Sequence, residues 1–270
     1  MFPRPALLLN ALILIAPALL SVSGKSLRTQ KNPSFFRPAT DLITSDSAPA
    51  NRLTKSELRS GWKLLYNGHN FDGWRGAGKP SFPAKGWHIN PDHSLEVESS
   101  LGKEAANGGD IVTIATYSQF DLKFQFKFTP GANSGVKYFV TESYQTTGSA
   151  IGLEYQVLDD KLHPDAKLGL NGDRTLGSLY DLIPARKDKE VYPPGHWNSG
   201  EIIVRGSHVE HWLNGQKVLE YERGSKAFRN LVAISKYTIY PGFGEAKAGH
   251  ILLQDHGGQV DYQNVKIRTY

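Results

Sequence analysis

The chain of 270 residues carries 31 basic and 26 acidic side chains and no cysteine. Without cysteine it forms no disulfide, performs no thiolate chemistry and carries no lipid on a cysteine. The net charge of +5 would fit a nucleic-acid-binding protein, but five basic and two acidic residues lie within residues 1–50, which leaves 26 basic and 24 acidic residues in the remainder. That part of the chain is nearly neutral, so we expect no nucleic-acid partner.

The first 50 residues have the composition of a leader and a linker. Residues 1–24 contain Arg4, an apolar run up to Leu20 and a small-residue end, which is the pattern of a secretory signal peptide and is short for a membrane span. Residues 25–50 are polar, contain three prolines and show no periodicity, so we predict a disordered linker there. We expect a secreted protein, periplasmic or extracellular, without stable membrane insertion after signal cleavage; an uncleaved anchor is the alternative.

Residues 51–270 alternate between short apolar strands and tight turns. The clearest strand is 121–128, in which Leu122 and three phenylalanines share one face. The spacing Thr54-x-x-Glu57 predicts one short helix with a capping box, and Asn214-Gly215 is typical of a hairpin turn. Further strands are predicted over residues 61–66, 87–89, 94–98, 111–116, 136–140, 152–158, 177–183, 197–205, 209–213, 217–221, 250–253 and 259–268.

About a dozen short strands with almost no helical periodicity favour an all-β fold. Strands of this length separated by turns are typical of antiparallel sandwiches and jelly rolls, in which two sheets pack face to face. We therefore predict a single jelly-roll domain over residues 51–270.

Polar side chains share a face on two of the predicted strands. Glu154 and Gln156 lie two residues apart on one strand, and Gln254 and His256 lie two apart at the end of another, so each pair projects to one side. Lys137 would join them if its strand neighbours either. An acid and an amide on one side of an apolar strand need partners, which predicts a polar site. The alternatives are a solvated Lys137, a Gln156 that satisfies a neighbouring backbone group and a structural His256.

An acidic loop follows the strand that contains Glu154. Its oxygen and nitrogen donors can bind a hard divalent ion, although their spacing matches no standard calcium loop or zinc motif; a solvated acidic loop is the alternative. No other cofactor is indicated. The candidate metal ligands are Asp159, Asp160, His163 and Asp165.

Several hydrolase classes are disfavoured by what the sequence lacks. A retaining jelly-roll glycosidase places two carboxyl groups about 5–5.5 Å apart, often two or four residues apart on one strand, but here Glu154 is followed at those positions by Gln156 and Leu158. The chain also lacks a Gly-x-Ser-x-Gly elbow, a His-Glu-x-x-His motif and a phosphate-binding loop.

Several motifs in a fixed order resemble the 3-keto-disaccharide hydrolase domain family over about residues 56–268. They are Leu64-Leu65-Tyr66-Asn67-Gly68 with Gly73-Trp74, Asn133-Ser134-Gly135-Val136, Glu154-Tyr155-Gln156-Val157-Leu158-Asp159 with His163-Pro164-Asp165-Ala166, Leu179-Tyr180-Asp181, His211-Trp212-Leu213-Asn214-Gly215 and Leu252-Leu253-Gln254-Asp255-His256-Gly257. The resemblance implies a concanavalin- or laminin-G-like jelly roll, secreted by glycan-degrading bacteria. It also implies a hydrolase or lyase acting on glycosides oxidised to a ketone at C3.

Such a substrate needs one base for the C2 hydrogen, donors for the C3 oxygen and an acid for the leaving group. His256 is the candidate base because histidine is the residue type best suited to proton transfer at physiological pH. Glu154 can serve as the acid or orient sugar hydroxyls, and Lys137 can stabilise the enolate. The candidate substrate-binding residues are Gln156, Gln254, Tyr180, Trp74 and Trp212.

A non-catalytic, lectin-like carbohydrate-binding module is the competing hypothesis, since jelly rolls are often lectins and the same amides and aromatics would serve either role. A lectin, however, has little use for Glu154, Lys137 and His256 on one surface. We therefore favour an enzyme with a carbohydrate substrate.

The leader predicts that the mature protein starts between Ser23 and Lys25. Intact-mass measurement on protein from the native host should give the mass of the shortened chain in the soluble exported fraction. Full-length mass in the membrane fraction would instead indicate an uncleaved anchor.

Overall fold

The computed structural model describes residues 49–143 and 150–270. The expected signal peptide over 1–24 and nearly all of the expected linker over 25–50 lie outside the described residues. In the part of the chain that is described, no helix has the length and apolar character needed to span a membrane.

Short antiparallel strands make up most of the described chain. Two α-helices accompany them, α1 (Lys55–Arg59) and α2 (Lys226–Ile234). The strands are β1 (Lys63–Leu64), β2 (Trp74–Gly76), β3 (Trp87–Ile89), β4 (Leu95–Val97), β5 (Ile111–Thr113), β6 (Phe120–Phe128), β7 (Asn133–Val140), β8 (Leu153–Leu158), β9 (Asn198–Arg205), β10 (His208–Leu213), β11 (Gln216–Glu222), β12 (His250–Leu253) and β13 (Val260–Thr269).

These strands form two antiparallel sheets. The larger sheet has the order β11-β10-β9-β6-β13-β4-β3, with β1 also paired to β13, and the smaller has the order β2-β5-β12-β7-β8. Some neighbours, such as β7 and β8, are consecutive in the chain, whereas others, such as β6 and β13 or β7 and β12, come from distant parts of the sequence, as in a jelly roll. The predicted all-β jelly-roll sandwich is confirmed.

The core lies between the sheets and follows the predicted alternation of β6. Phe124, Phe126 and Phe128 are at most 2% exposed, whereas the residues between them are half-buried. Phe124 meets Tyr155 of β8 edge to face, with ring centroids 5.2 Å apart, which joins the two sheets. Each such buried side chain contributes about 1.5–3 kcal/mol by leaving water, so the smaller sheet has a rigid support.

Two local predictions are confirmed. The Thr54 side chain accepts a hydrogen bond from the Glu57 backbone N–H, and the Glu57 carboxylate accepts one from the Thr54 N–H, which completes the capping box of α1. Asn214 and Gly215 have φ angles of 48° and 78°, the left-handed pair that a tight hairpin between β10 and β11 requires.

One strand prediction is wrong, and one helix was not predicted. Residues 177–183 form turns with isolated bridges at Leu179 rather than a strand, because the positive φ angles of Gly177 and Asp181 interrupt an extended backbone. Helix α2 was not expected. Ser225 caps it by accepting from the Phe228 N–H. Phe228, Leu231 and Val232 recur at helical spacing and pack on the core, so the segment does carry a helical apolar pattern, over only nine residues.

A buried hydrogen-bonded chain links the sheets beneath β7. His211 of β10 is fully buried; its Nδ1–H donates to the Gly177 carbonyl (3.0 Å), and its Nε2 accepts from the Tyr138 hydroxyl (2.8 Å). Tyr138 is also 2.8 Å from the Tyr221 hydroxyl. Burial lowers the pKa of His211 to about 4, because the interior cannot hydrate an imidazolium.

This shift predicts a specific pH dependence of stability. In the unfolded chain His211 takes up a proton near its ordinary pKa of 6.5, whereas in the folded chain it does so only near 4. Stability is therefore present above pH 6.5 and lost as the pH falls towards 4, by about 3 kcal/mol for this residue. Urea unfolding should show that, between pH 6.5 and pH 4, the free energy of unfolding falls by about 3 kcal/mol more in the wild type than in His211→Gln.

The exposed His196 provides the matched control. We expect His196→Gln to follow the wild-type curve at every pH. Parallel curves for wild type and His211→Gln would contradict the assignment.

Candidate active site

Three adjacent strands of the smaller sheet, β8, β7 and β12, present polar side chains on one face. In the β7–β8 register Lys137 lies opposite Glu154, and Gly135 lies opposite Gln156. On the other side of β7, the Gln254 backbone N–H donates to the Gly135 carbonyl (3.0 Å). The strand pairing therefore assembles the predicted polar face.

Gly135 leaves a gap in the middle of this face, and the Glu154 carboxylate occupies it. A Cβ atom at Gly135 would overlap that carboxylate, 2.9 Å from its carboxyl carbon. In the amide orientation that its neighbours require, the Gln156 nitrogen donates to Glu154 Oε1 (3.2 Å) and to the Ser134 carbonyl (3.0 Å). Gln156 thus satisfies a backbone group, as the alternative hypothesis held, and also holds the acid in place.

Lys137 is buried rather than solvated, with 5% of its surface exposed. Its ammonium donates to the Ala150 carbonyl (3.2 Å) and lies 3.5 Å from Asp110 Oδ2. The other oxygen of Asp110 accepts from the Asp255 backbone N–H (2.9 Å). Burial lowers the pKa of Lys137, but the carboxylates of Asp110 and Glu154 raise this pKa by more than burial lowers it. The net shift is therefore upward, and the ammonium stays charged.

Glu154 is also 5% exposed, and its pKa shifts in the direction that suits proton transfer. Burial raises the pKa of Glu154 above its ordinary value, although the positive charges of Lys137, Lys236 and His256 oppose the shift. A carboxyl group whose pKa moves towards neutrality can both donate and accept a proton at working pH.

These side chains line a pocket of about 220 Å³. Six of the eight residues proposed from the sequence for catalysis and substrate binding lie in it: His256, Glu154, Lys137, Gln156, Gln254 and Tyr180. The other lining residues were not among the candidates, and they are Glu104, Asn133, Ile151, Gly152, Lys236, Tyr237 and Tyr240.

His256 lies towards solvent rather than at the pocket floor. Its side chain is 29% exposed, and Nε2 is 3.9 Å from a carboxylate oxygen of Glu104. The ring of His163 lies edge-on to it, with centroids 6.3 Å apart. Burial, followed by the charge of His256, lowers the pKa of His163, so His163 favours its neutral form beside His256.

The turn from Lys236 to Ile239 supplies a second cation. The Lys236 backbone N–H donates to Asp181 Oδ2 (2.9 Å), and its ammonium lies 4.1 Å above the Tyr180 ring and 5.2 Å from that of Tyr237. Although Lys236 is exposed as a whole, desolvation of the ammonium lowers its pKa, and the charge of Glu154 opposes this. The only sequence signal was a lysine among the tyrosines of an irregular segment.

The four proposed metal ligands do not converge on one point. Asp159 accepts from the backbone N–H groups of Gly131 (2.9 Å) and Lys161 (3.0 Å), and Asp160 pairs with Lys189 (2.9 Å). These carboxylates stabilise the loops after β8.

The other two members of that set are engaged in the same way. His163 Nδ1 accepts from the Asp165 N–H (3.2 Å), and Asp165 accepts from Arg174 (2.9 Å) and the Tyr180 hydroxyl (2.7 Å). Within the described residues, three or more potential ligand atoms come together only at His208, Glu210 and Glu220, outside the pocket. The proposed metal-binding set is therefore not supported.

Two predicted stacking residues lie elsewhere. Trp74 is 4% exposed in the core, and its Nε1–H donates to the Leu65 carbonyl (2.6 Å). Trp212 lies on β10 of the larger sheet, and its Nε1–H donates to Glu210 (2.7 Å). Neither lines the pocket, so the structure does not bring them together with the other six candidates; a single sequence does not reveal which sheet a strand joins.

The pocket thus holds a buried acid between two ammonium groups, with a half-exposed histidine nearer solvent. Such a set can remove a proton, stabilise a developing oxyanion and return a proton to a leaving group.

Comparison with known proteins identifies relatives that are similar in sequence and in structure. A 3-keto-disaccharide hydrolase of Bacteroides thetaiotaomicron is 34% identical over 283 residues, which covers 96% of this chain and 97% of that protein. A crystal structure of a candidate glycosyl hydrolase from Parabacteroides distasonis is 32% identical with a TM-score of 0.71 and covers 82% of this chain and 99% of its own. A second from the same organism is 26% identical with a TM-score of 0.56, covering 77% and 99%.

A family model matches all but the first residues of the folded part of the chain and the last two. Residues 61–268 match the 3-keto-alpha-glucoside-1,2-lyase-like domain, which confirms the resemblance seen in the motifs. The chain therefore belongs to the family of 3-keto-alpha-glucoside-1,2-lyase-like domains.

Proposed function

We propose that this protein is a carbohydrate-active hydrolase that cleaves 3-keto glycosides by removing the C2 hydrogen and eliminating the C1 substituent, followed by addition of water. The observation that carries the proposal is the buried Glu154 carboxyl group beside Lys137 in a pocket that His256 also lines. A binding module would have no need to bury these charges.

The first step removes the proton at C2. The C3 ketone acidifies that hydrogen, and His256 accepts it as the general base. The electron pair of the C–H bond forms the C2=C3 bond of an enolate, and negative charge develops on the C3 oxygen. Lys137 and Lys236 are the donors available to stabilise that oxygen, since both ammonium groups belong to the pocket.

The second step expels the C1 substituent. The enolate collapses to the ketone, a C1=C2 double bond forms, and the C1–O bond breaks. Glu154 in its acid form protonates the departing oxygen, and burial, which raises the pKa of Glu154, favours that form. The eliminated sugar is an enone, and the enzyme now carries a protonated His256 and an ionised Glu154.

The third step restores both groups. The oxygen of a water molecule bonds to C1 while the Glu154 carboxylate takes a proton from that water. His256 returns a proton to C2. The sum is hydrolysis, with no net change in the protein. Release before water addition would make the same site a lyase.

A paired-carboxylate mechanism has weaker support. Within the described pocket residues the only carboxylate besides Glu154 is Glu104, which is exposed and lies beside His256. We assign it to orienting His256. On the evidence of the leader we further propose that the protein acts outside the cytoplasm.

The mechanism predicts cleavage of a 3-keto disaccharide and none of its unoxidised parent, because only the ketone acidifies C2. His256→Ala should lower kcat by about 10²- to 10⁴-fold, whereas His196→Ala, at an exposed site outside the pocket, should not. Mass spectrometry of the products gives the rates, and incubation in deuterated water should place deuterium at C2.

Three results would count against parts of this assignment. Comparable cleavage of the parent sugar would rule out the keto mechanism. Binding of both sugars without turnover would favour a lectin-like module. Normal turnover in His256→Ala would assign the base to another residue.

A second prediction concerns the gap at Gly135. Gly135→Ala displaces the Glu154 side chain, which supplies the three atoms nearest to the added methyl, so kcat should fall about 10- to 100-fold. Because a flexible side-chain end can move aside, the free energy of unfolding should change by less than about 1 kcal/mol.

A double-mutant cycle separates this effect from general damage. In a Glu154→Gln background, Gly135→Ala should have little further effect on kcat, since the displaced group is already inactive. Equal losses in both backgrounds would show that Gly135 acts independently of Glu154.

A further inference from the structure

Asn133, the first residue of β7, is buried without a hydrogen-bond partner. It is 1% exposed, and within residues 49–143 and 150–270 neither its Nδ2 nor its Oδ1 has a partner. The Oε1 atom of Gln254 is likewise unpaired, with that residue 4% exposed. Both residues line the pocket. A buried amide without partners costs free energy, which a bound ligand would offset.

The chemistry of these atoms restricts the ligand. The Asn133 amide offers one donating and one accepting group, and Gln254 Oε1 only accepts. A hydroxyl can both donate and accept, whereas a ketone oxygen only accepts and so cannot pair with Gln254 Oε1. The ammonium groups of Lys137 and Lys236 only donate. Asn133 Oδ1 and Gln254 Oε1 can therefore pair with a sugar hydroxyl but not with a ketone oxygen, whereas the two ammonium groups can bind the ketone oxygen.

We infer that Asn133 is a substrate-binding residue whose amide, together with Gln254 Oε1, hydrogen-bonds unoxidised hydroxyl groups of the sugar, while the keto oxygen faces the lysines. The inference rests on the proposed function for the identity of the sugar. It adds a specificity determinant: the bound sugar must keep free hydroxyls on the side that faces the amides.

The chain offers a matched control in Asn198 of β9. Asn198 is also 1% exposed, but its Oδ1 accepts from the Tyr192 N–H (2.9 Å) and from Asn214 (2.9 Å), and its Nδ2 donates to the Tyr192 carbonyl (3.0 Å). Two equally buried asparagines thus differ in whether the protein satisfies them.

The test compares Asn133→Ala with Asn198→Ala in melting temperature, in steady-state kinetics on a 3-keto disaccharide and in calorimetric binding of the unoxidised parent disaccharide. Asn133→Ala should melt at or above the wild-type temperature, because it removes unsatisfied groups. Its KM and its Kd for the parent should rise about 10- to 100-fold with kcat unchanged. Asn198→Ala should melt lower and bind as wild type does. Asn133→Leu removes the amide but keeps a similar side-chain volume, so it controls for disturbance of β7 by the smaller alanine. It should give the same changes in KM and Kd as Asn133→Ala.

The outcomes separate this inference from the proposed function. Wild-type cleavage with an unchanged KM in Asn133→Ala and Asn133→Leu would overturn the inference and leave the function standing. Loss of stability in both Asn133 variants with unchanged binding would also overturn it, since the amide would then be structural. Binding of the parent that depends on Asn133, without cleavage of the keto sugar, would overturn the proposed function and support the inference.

Discussion

A carboxyl group and an ammonium buried side by side on one sheet face constrain the whole site. Two charges removed from water destabilise a fold unless each keeps hydrogen-bond partners. Lys137 has the Ala150 carbonyl and Asp110, and Glu154 has the Gln156 amide. The β7–β8 register sets Lys137 opposite Glu154, so a shift by one residue would turn one side chain of the pair towards the core. The apolar core beneath β7 and β8 holds that register.

A chain of ion pairs outside the pocket fixes its aromatic wall. Arg174 contacts Asp165 (2.9 Å) and Asp181 (2.6 Å). Asp165 accepts from the Tyr180 hydroxyl, and Asp181 accepts from the Lys236 backbone N–H. One guanidinium therefore connects the turns that carry Tyr180 and Lys236. Asp165 of the acidic loop after β8 thus has a structural role, because its carboxylate positions the pocket residue Tyr180.

The proposed chemistry makes modest demands on the protein, because the ketone of the substrate supplies the acidity at C2. What remains is to transfer protons and to stabilise one oxyanion, which a histidine, one acid and two ammonium groups can do. A jelly roll suits this task, since its face provides a rigid platform on which strand register sets the spacing of side chains. Sugar-binding modules use the same platform; the buried charge pair marks the difference.

The sequence by itself determined the strand-rich fold, the capping box of α1, the hairpin at Asn214-Gly215 and the shared face of Glu154 and Gln156, because these depend on periodicity and on local backbone preference. Its motifs also led to the family. Only the tertiary structure decided that β7 lies between β8 and β12, which brings Lys137, Glu154 and Gln254 together, and that Trp74 and Trp212 lie away from the pocket. It alone revealed Lys236 and Asn133 as pocket residues, since Lys236 stands in no motif and the motif that begins at Asn133 does not indicate which side chains face the pocket. The physical reason is that strand order depends on non-local pairing and packing, and a repeat of two residues shows which side chains share a face but not which strand lies alongside.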